Sequence, residues 1–345
     1  MYVYLGLFSI ITLLSLLKGN KVFFKPIMIV LFIFCALRGA DVDRDYQSYV
    51  NIYGYIVNGY HYAIEPTFYL ITYISELLTS SPVFIFIIYA ALAISFKYLF
   101  IKEWSPYLLL SVLVYFSSIF LLHDMTQIRI GVASSIGFFS LKYIIENNYR
   151  KYYLWILVAI LFHFSMVVFI FIPLLNSKRL TTNFKLGYLS LLLFLYVLYT
   201  FKIDMLTPLQ YVTIGGVQEK YNMYKAQIET DNASVNVFSV TQILHILIVF
   251  LTLSFSRYFE KDKKMILIFK LYALSPLCLI AFSAIPGFSI RLSELFSISE
   301  IVFLPMLATQ FKHKGLVYFI IIAISLFLLL LNLYYVGLVK EYVFI

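Results

Sequence analysis

The sequence predicts an all-α fold, a polytopic transmembrane helical bundle of about 10–12 membrane segments, and three observations carry that prediction. Of 345 residues, 62% are hydrophobic and 12% charged, against about 25% charged in a soluble domain. Apolar runs recur from residue 2 to residue 336, so they describe many passes rather than one core. The 26 Lys and Arg residues, against 17 acidic ones, gather mainly between those runs. They form no basic stripe interleaved with aromatics, which excludes nucleic acid as the partner and leaves them as orientation signals. Cys35 and Cys278 each sit in an apolar run, so neither a disulfide framework nor a CxxC pair exists.

A crossing helix needs about 20 apolar residues, or fewer where the bilayer thins or flanking side chains snorkel. The runs that qualify are 2–17, 23–37, 82–101, 107–122, 130–145, 186–201, 240–255, 265–285, 292–309 and 316–336. The first lacks the basic flank and small-residue cleavage site of a signal peptide, so it reads as a retained helix. The run 67–79 is short and carries Glu76, which predicts an interfacial or part-way segment. The run 152–175 is long, and His163 with Ser165 interrupts it, which predicts a break near His163 and a hairpin.

Short basic loops stay on the cytoplasmic side. Lys18, Lys21 and Lys25 put the first loop inside. Lys97/Lys102, Arg150/Lys151, Lys178/Arg179/Lys185, Arg257/Lys261/Lys263/Lys264 and Lys312/Lys314 share that side if 67–79 does not fully cross and 152–175 crosses an even number of times. Lys142 and Lys270 are expected at inner helix ends. Two larger loops, 38–66 and 202–239, then lie outside, with short outer turns at 123–129 and 286–291. No internal repeat or linker divides the chain, so 1–345 reads as a single integral membrane domain.

Charge near a bilayer is costly and is retained for a purpose. Three groups stand out: Arg38, Asp41, Asp43, Arg44, Asp45, Tyr46, Gln47 and Tyr49, followed by Glu65-Pro66; Gln127, Arg129 and Gly131, with His163 and Ser165; and Arg291 with Glu294 opening a late helix. The topology places all of them on the outer face. A guanidinium is a planar fork that stays charged at any accessible pH, so arginines gathered there fit an anionic ligand such as a lipid pyrophosphate. Singly, each has a plainer reading. Arg38, Arg129 and Arg291 could anchor helix ends, and His163 could be a hydrogen-bonded core residue. Asp41, Asp43 and Asp45 resemble the Asp-x-Asp of metal-dependent glycosyl transfer but equally suit a solvated acidic loop. Tyr46, Tyr49, Tyr53, Tyr55, Tyr60 and Tyr62 suit sugar stacking or an interfacial aromatic belt.

Taken in order, Arg38, Asp45-Tyr46-x-x-Tyr49, Glu65-Pro66, Gln127-x-Arg129-x-Gly131-x-Ala133, His163-x-Ser165 and a late Arg291 resemble the EpsG-like branch of the Wzy O-antigen and exopolysaccharide polymerases. One departure is Asp43-Arg44, where that family usually has Gly shortly before the Asp-Tyr. The resemblance implies a periplasmic reaction at the bacterial inner membrane, in which a glycan moves from undecaprenyl pyrophosphate to the end of a new lipid-linked repeat. A flippase and a chain-length regulator of the same pathway are the implied partners. It further implies Arg38, Arg129 and Arg291 as pyrophosphate ligands and His163, Asp45 or Glu65 as base, His163 being favoured because its ordinary pKa lies near working pH. Arg44, Gln127, Tyr46 and Tyr49 are further candidates. No cofactor is implied, and no metal is required if the arginines neutralise the leaving group. A flippase or transporter of lipid-linked oligosaccharide is the main rival, with Lys270, Glu76 and Glu300 as its embedded charges. An O-antigen ligase is the second, and a membrane acyltransferase or scaffold the remainder.

Overall fold

The computed structural model describes residues 1–175, 177–203, 211, 234–259 and 262–344. Most of the expected loop 202–239, and Lys261, therefore lie outside the described residues. Among those described, the chain is helical without a β-strand. Two isolated bridges, Arg38 to Phe344 and Asp43 to Val339, are the extended pairings.

The first compact unit is Met1–Leu174 with Glu300–Ile345, the second Leu175–Ser299. The first contains α1 (Tyr2–Leu16), α2 (Phe24–Ala36), α3 (Tyr46–Val57), α4 (Pro66–Thr79) and α5 (Val83–Trp104). There follow α6 (Leu108–Tyr115), running on as a π-helix Phe116–Thr126, then α7 (Ile128–Ile145) and α8 (Tyr149–Phe162). The second unit contains α9 (Thr182–Thr200), α10 (Val240–Ser254), α11 (Lys263–Ala281) and α12 (Pro286–Ser297). The chain re-enters the first unit with α13 (Glu300–Gln310) and α14 (Lys314–Leu330).

Helix starts follow local chemistry. Asn148, Thr181, Ser239 and Asp262 each cap a helix by accepting a backbone N–H, at 3.2 to 3.3 Å for the first three and 3.0 Å for Asp262. Pro66 opens α4, where its missing N–H is not needed. Six described helices are long and apolar enough to cross a membrane, or seven if α12 and α13 count as one broken span. The protein is a multi-pass membrane protein. Exposed Leu, Ile and Phe side chains suited to lipid contact lie on α1 and α14 in the first unit and on α9 in the second.

The expected break at His163 is present. There α8 ends, His163 is extended, and a 3-10 helix Phe164–Leu175 follows. The short run 67–79 folds as the 14-residue α4, below the length of a span. Five expectations need correction. The stretch 38–66 is no open loop, because Tyr46, Tyr49, Ile52, Tyr53 and Ile56 recur at helical spacing and bury one face of α3. The turn at 123–129 is shorter than expected, because the π-helix carries His123 and Asp124 into the core, both 1% exposed or less. Lys97 is no loop residue: it lies inside α5 at 1% exposure and binds Asp124. Lys270 is buried midway along α11 rather than at its end, donating to the carbonyls of Leu175 and Lys178 at 3.0 and 3.3 Å. The run 292–309 also divides, at 298–299, into α12 and α13.

Long-range contacts in the first unit sort its two ends. At one, the Tyr318 hydroxyl donates to Ser15 O (2.9 Å) and Tyr98 stacks on Phe24, which groups Lys18, Lys21, Lys25, Lys102, Lys312 and Lys314. At the other, the Tyr4 hydroxyl donates to Lys340 O, Gly39 N–H to Val343 O (2.7 Å), and Lys340 N–H to Val42 O (2.8 Å). The Arg38 to Asp45 segment thus lies at the end away from that lysine group.

Lys97 Nζ sits 3.0 Å from Asp124 Oδ1, 3.2 Å from Oδ2 and 3.0 Å from Ser135 Oγ, and the Tyr115 hydroxyl donates to the same carboxylate. Removing one partner of a buried pair strands the other charge, at about 3–5 kcal/mol. Lys97→Met or Asp124→Leu alone should therefore lower the melting temperature of detergent-purified protein sharply, and the double variant should recover most of the loss. Gly131 permits the close approach of α7 to the π-helix, since a Cβ there would stand 2.6 Å from His123 O and 2.9 Å from Asp124 Oδ1. Gly131→Ala should destabilise by about 1–3 kcal/mol, the cost of overpacking, read in the same melting experiment.

Candidate active site at the α7 N-terminus

Glu65 precedes α4 in an extended conformation that Pro66 enforces, so its carboxylate projects beyond the helix rather than lying along it. One oxygen accepts from Arg129 Nη1 and the other from the Phe164 N–H at 3.4 Å. Thr67 Oγ1 adds a bond to Leu161 O at 2.7 Å. These contacts join the start of α4, the first turn of α7 and the break between α8 and its 3-10 continuation. Residues 65, 129 and 163, far apart in the chain, are therefore neighbours within one unit.

Arg129 is the second residue of α7, its side chain 26% exposed against 16% for Glu65. Its guanidinium lies 6.0 Å from the Tyr49 ring centroid, and its Nε has no hydrogen-bond partner. Gln127, half-buried, takes the cap position, and its side chain makes no cap hydrogen bond to the first turn of α7. A helix start of that kind adds positive potential to that of the guanidinium. Burial pushes the Tyr49 phenol up to about 12, against the lowering influence of Arg129, so it stays protonated at neutral pH.

His163 Nδ1 accepts the Ser165 N–H at 3.3 Å and lies 2.8 Å from Ser165 Oγ. An Nδ1 that accepts a backbone N–H fixes the proton of the neutral ring on Nε2. His123 is fully buried and neither of its ring nitrogens has a partner.

A second cluster surrounds Arg38, which the sequence placed among the exposed phosphate ligands. The guanidinium is instead fully buried. Nε donates to Asp43 Oδ2 at 2.6 Å, Nη1 donates to Cys35 O at 2.7 Å, and the group lies 4.8 Å from the Phe86 centroid. Asp43 Oδ1 takes the Asp45 N–H at 2.9 Å. Arg38 thus fixes the turn that starts α3 and sets Asp45, Tyr46 and Tyr49 in place. Asp45 is half-buried at the α3 cap position and Tyr46 stacks on Phe86 at 4.1 Å, whereas Asp41 and Arg44 are exposed. Arg291 is exposed on α12 of the second unit, in the helix interior rather than at its opening.

Sequence reasoning missed Lys97, His123 and Asp124. A signal existed, for Lys97 has apolar or aromatic neighbours on both sides, as a buried cation would and a loop lysine would not. Its partner could not be read in the same way, because His123-Asp124 closes an apolar run and looks like an ordinary loop start.

The amylovoran biosynthesis protein AmsC of Erwinia amylovora is 25% identical over 147 residues, an alignment that spans 40% of this chain and 39% of that protein. No solved structure matches the chain. The family described as EpsG matches residues 21–344, a span that includes both clusters and Arg291, and the chain belongs to the EpsG family.

Proposed function

We propose that this protein is a polymerase that joins lipid-linked oligosaccharide repeat units into a surface polysaccharide, with undecaprenyl pyrophosphate as the leaving group. The observation that carries the reading is the half-open Arg129–Glu65 pair at the uncapped start of α7, beside the His163 break. Family membership and the amylovoran biosynthesis relative support it. The grouping of Lys18, Lys21, Lys25, Lys102, Lys312 and Lys314 at the opposite end of the first unit supports a site on the outer, periplasmic face of the inner membrane.

The acceptor sugar's hydroxyl oxygen forms a bond to the donor's anomeric carbon. The carbon–oxygen bond to the pyrophosphate breaks, the electron pair leaves with the phosphate, and the hydroxyl proton passes to a base. Charge therefore grows on the departing phosphate, where Arg129 and the first N–H groups of α7 oppose it. In the absence of substrate Glu65 occupies Arg129. An arriving pyrophosphate competes for that guanidinium and releases the carboxylate to act as base. His163, with its proton on Nε2, then serves as hydrogen-bond donor, while Asp45 is the alternative base. Arg291 is a proposed phosphate ligand on the strength of the motif order alone, and Arg38 acts by holding the α3 turn. With guanidinium groups supplying the positive charge, the reaction needs no divalent cation.

The buried Lys97–Asp124 pair favours a second reading, since embedded charges are common in transporters. A flippase would carry lipid-linked units across liposomes without lengthening the glycan. A ligase would pass a finished glycan to lipid A. The other embedded charges hold local partners: Glu76 accepts from Tyr53, Glu300 accepts from Ser118, and Lys270 donates to carbonyls.

Purified protein and lipid-linked repeats should give a ladder of longer glycans that persists in a chelator. Arg129→Ala should slow the ladder by about 10²-fold or more, the scale of losing one charge-stabilising donor, and Arg129→Lys by less. Arg291→Ala should slow it too. An undiminished ladder from Arg129→Ala at normal expression refutes the phosphate role. Glu65→Gln and His163→Gln, assayed across pH, separate the two protonic roles. Loss of the base removes the acidic limb of the profile, and loss of a donor lowers the rate at every pH.

A further inference from the structure

The tyrosines of α3 and the loop after it divide in two. Tyr46, Tyr49 and Tyr53 are buried, whereas Tyr55, Tyr60 and Tyr62 are 53%, 65% and 40% exposed. The exposed rings form one cluster, Tyr55 on the last turn of α3 and Tyr60 and Tyr62 on the loop that joins α3 to α4. Tyr55 and Tyr62 lie 6.2 Å apart and nearly parallel, at 10°, and Tyr60 meets Tyr55 edge-on at 6.3 Å and 83°. The cluster is braced from behind. The Tyr69 hydroxyl accepts the Tyr62 N–H at 2.8 Å, donates to Tyr62 O at 2.8 Å, and meets His61 Nδ1 at 2.7 Å. A fixed group of exposed aromatics is a recognition surface in form, since its ring faces are oriented before any ligand arrives.

Two features identify the ligand. Residues 55–64 contain no Asp, Glu, Lys or Arg, so the surface offers hydroxyl, amide and imidazole groups but no charge. That composition suits a neutral polyhydroxylated chain and has nothing to hold a phosphate. The loop also runs directly into Glu65, so Tyr62 lies within about 11 Å of it along even a fully extended chain. The apolar C–H face of a sugar ring meets the negative face of an aromatic ring favourably, leaving the sugar hydroxyls for the Tyr hydroxyls, Asn58 and His61.

We propose that Tyr55, Tyr60 and Tyr62 form a glycan-holding subsite beside the reaction centre, which retains the growing polysaccharide between successive additions and so sets product length. This rests on the polymerase reading above. The proposal separates retention from chemistry, because a subsite of this kind acts on products longer than the reacting units.

The test compares Tyr55→Leu/Tyr60→Leu/Tyr62→Leu, which keeps apolar bulk but removes the rings, with the corresponding triple Phe variant, which keeps them. The single Leu variants serve if the triple fails to accumulate. With lipid-linked repeats, the Leu variant should form the two-unit product within about twofold of the normal rate while its longer products decline several-fold. The Phe variant should retain most of the length. Saturation-transfer NMR with the neutral oligosaccharide released from its lipid gives an independent readout, with contact to the natural protein and the Phe variant and none to the Leu variant. A normal ladder from the Leu variant, an equal slowing of first and later additions, or no contact with the natural protein overturns the proposal and assigns the rings to the membrane interface. Contact without any ladder refutes the polymerase reading and leaves the subsite standing.

Discussion

Asp124 is a carboxylate buried among apolar helices, and its charge is tolerable there because Lys97 Nζ lies 3.0 Å away. The pair draws in its neighbours. Ser135 of α7 binds the ammonium, the Tyr115 hydroxyl binds the carboxylate, and Cys35 of α2 donates to the Asp124 carbonyl. Four elements are thereby referenced to one point: α2, α5, the α6 π-extension and α7. Because α7 carries Arg129, the guanidinium's position is set by an ion pair it does not touch. Gly131 completes the arrangement, since any side chain there would push the start of α7 away from the π-helix.

The site follows from how helices begin and end. Helix termini leave backbone N–H or C=O groups without intrahelical partners, which makes them the polar points of an apolar bundle. Here three such points meet: the start of α4 at Glu65, the start of α7 at Arg129, and the break after α8 at His163. One carboxylate links two of them by accepting from Arg129 and from the Phe164 N–H. An ion pair that is part-exposed rather than sealed can exchange its anion for a ligand. Arg38, buried against Asp43 and the Phe86 ring, organises backbone in this structure.

The chain's late segment contributes to the same end of the first unit. Extended pairing of Arg38 with Phe344 and of Asp43 with Val339 lays residues 339–344 across the turn before α3. Tyr342 stacks on Phe34 at 3.9 Å and donates to Phe34 O at 2.7 Å. The acidic turn is thus held from within by Arg38 and from outside by the strand-like tail.

Composition and run length were enough to determine a multi-pass helical protein, because removing backbone from water into lipid allows few solutions besides helices. The break at His163, the short α4 and the motif order from Arg38 to Arg291 were also legible, since each is a local interruption of an apolar pattern. Tertiary structure alone decided which charges face one another. Lys97 was read as a loop anchor, and the run that ends in His123-Asp124 as a turn, because periodicity reports that a charge is embedded but not what lies across from it. The same holds for Arg38 and Arg129, which look alike in sequence: one is closed off by a carboxylate five residues away, and the other is left half-open by a carboxylate sixty-four residues away.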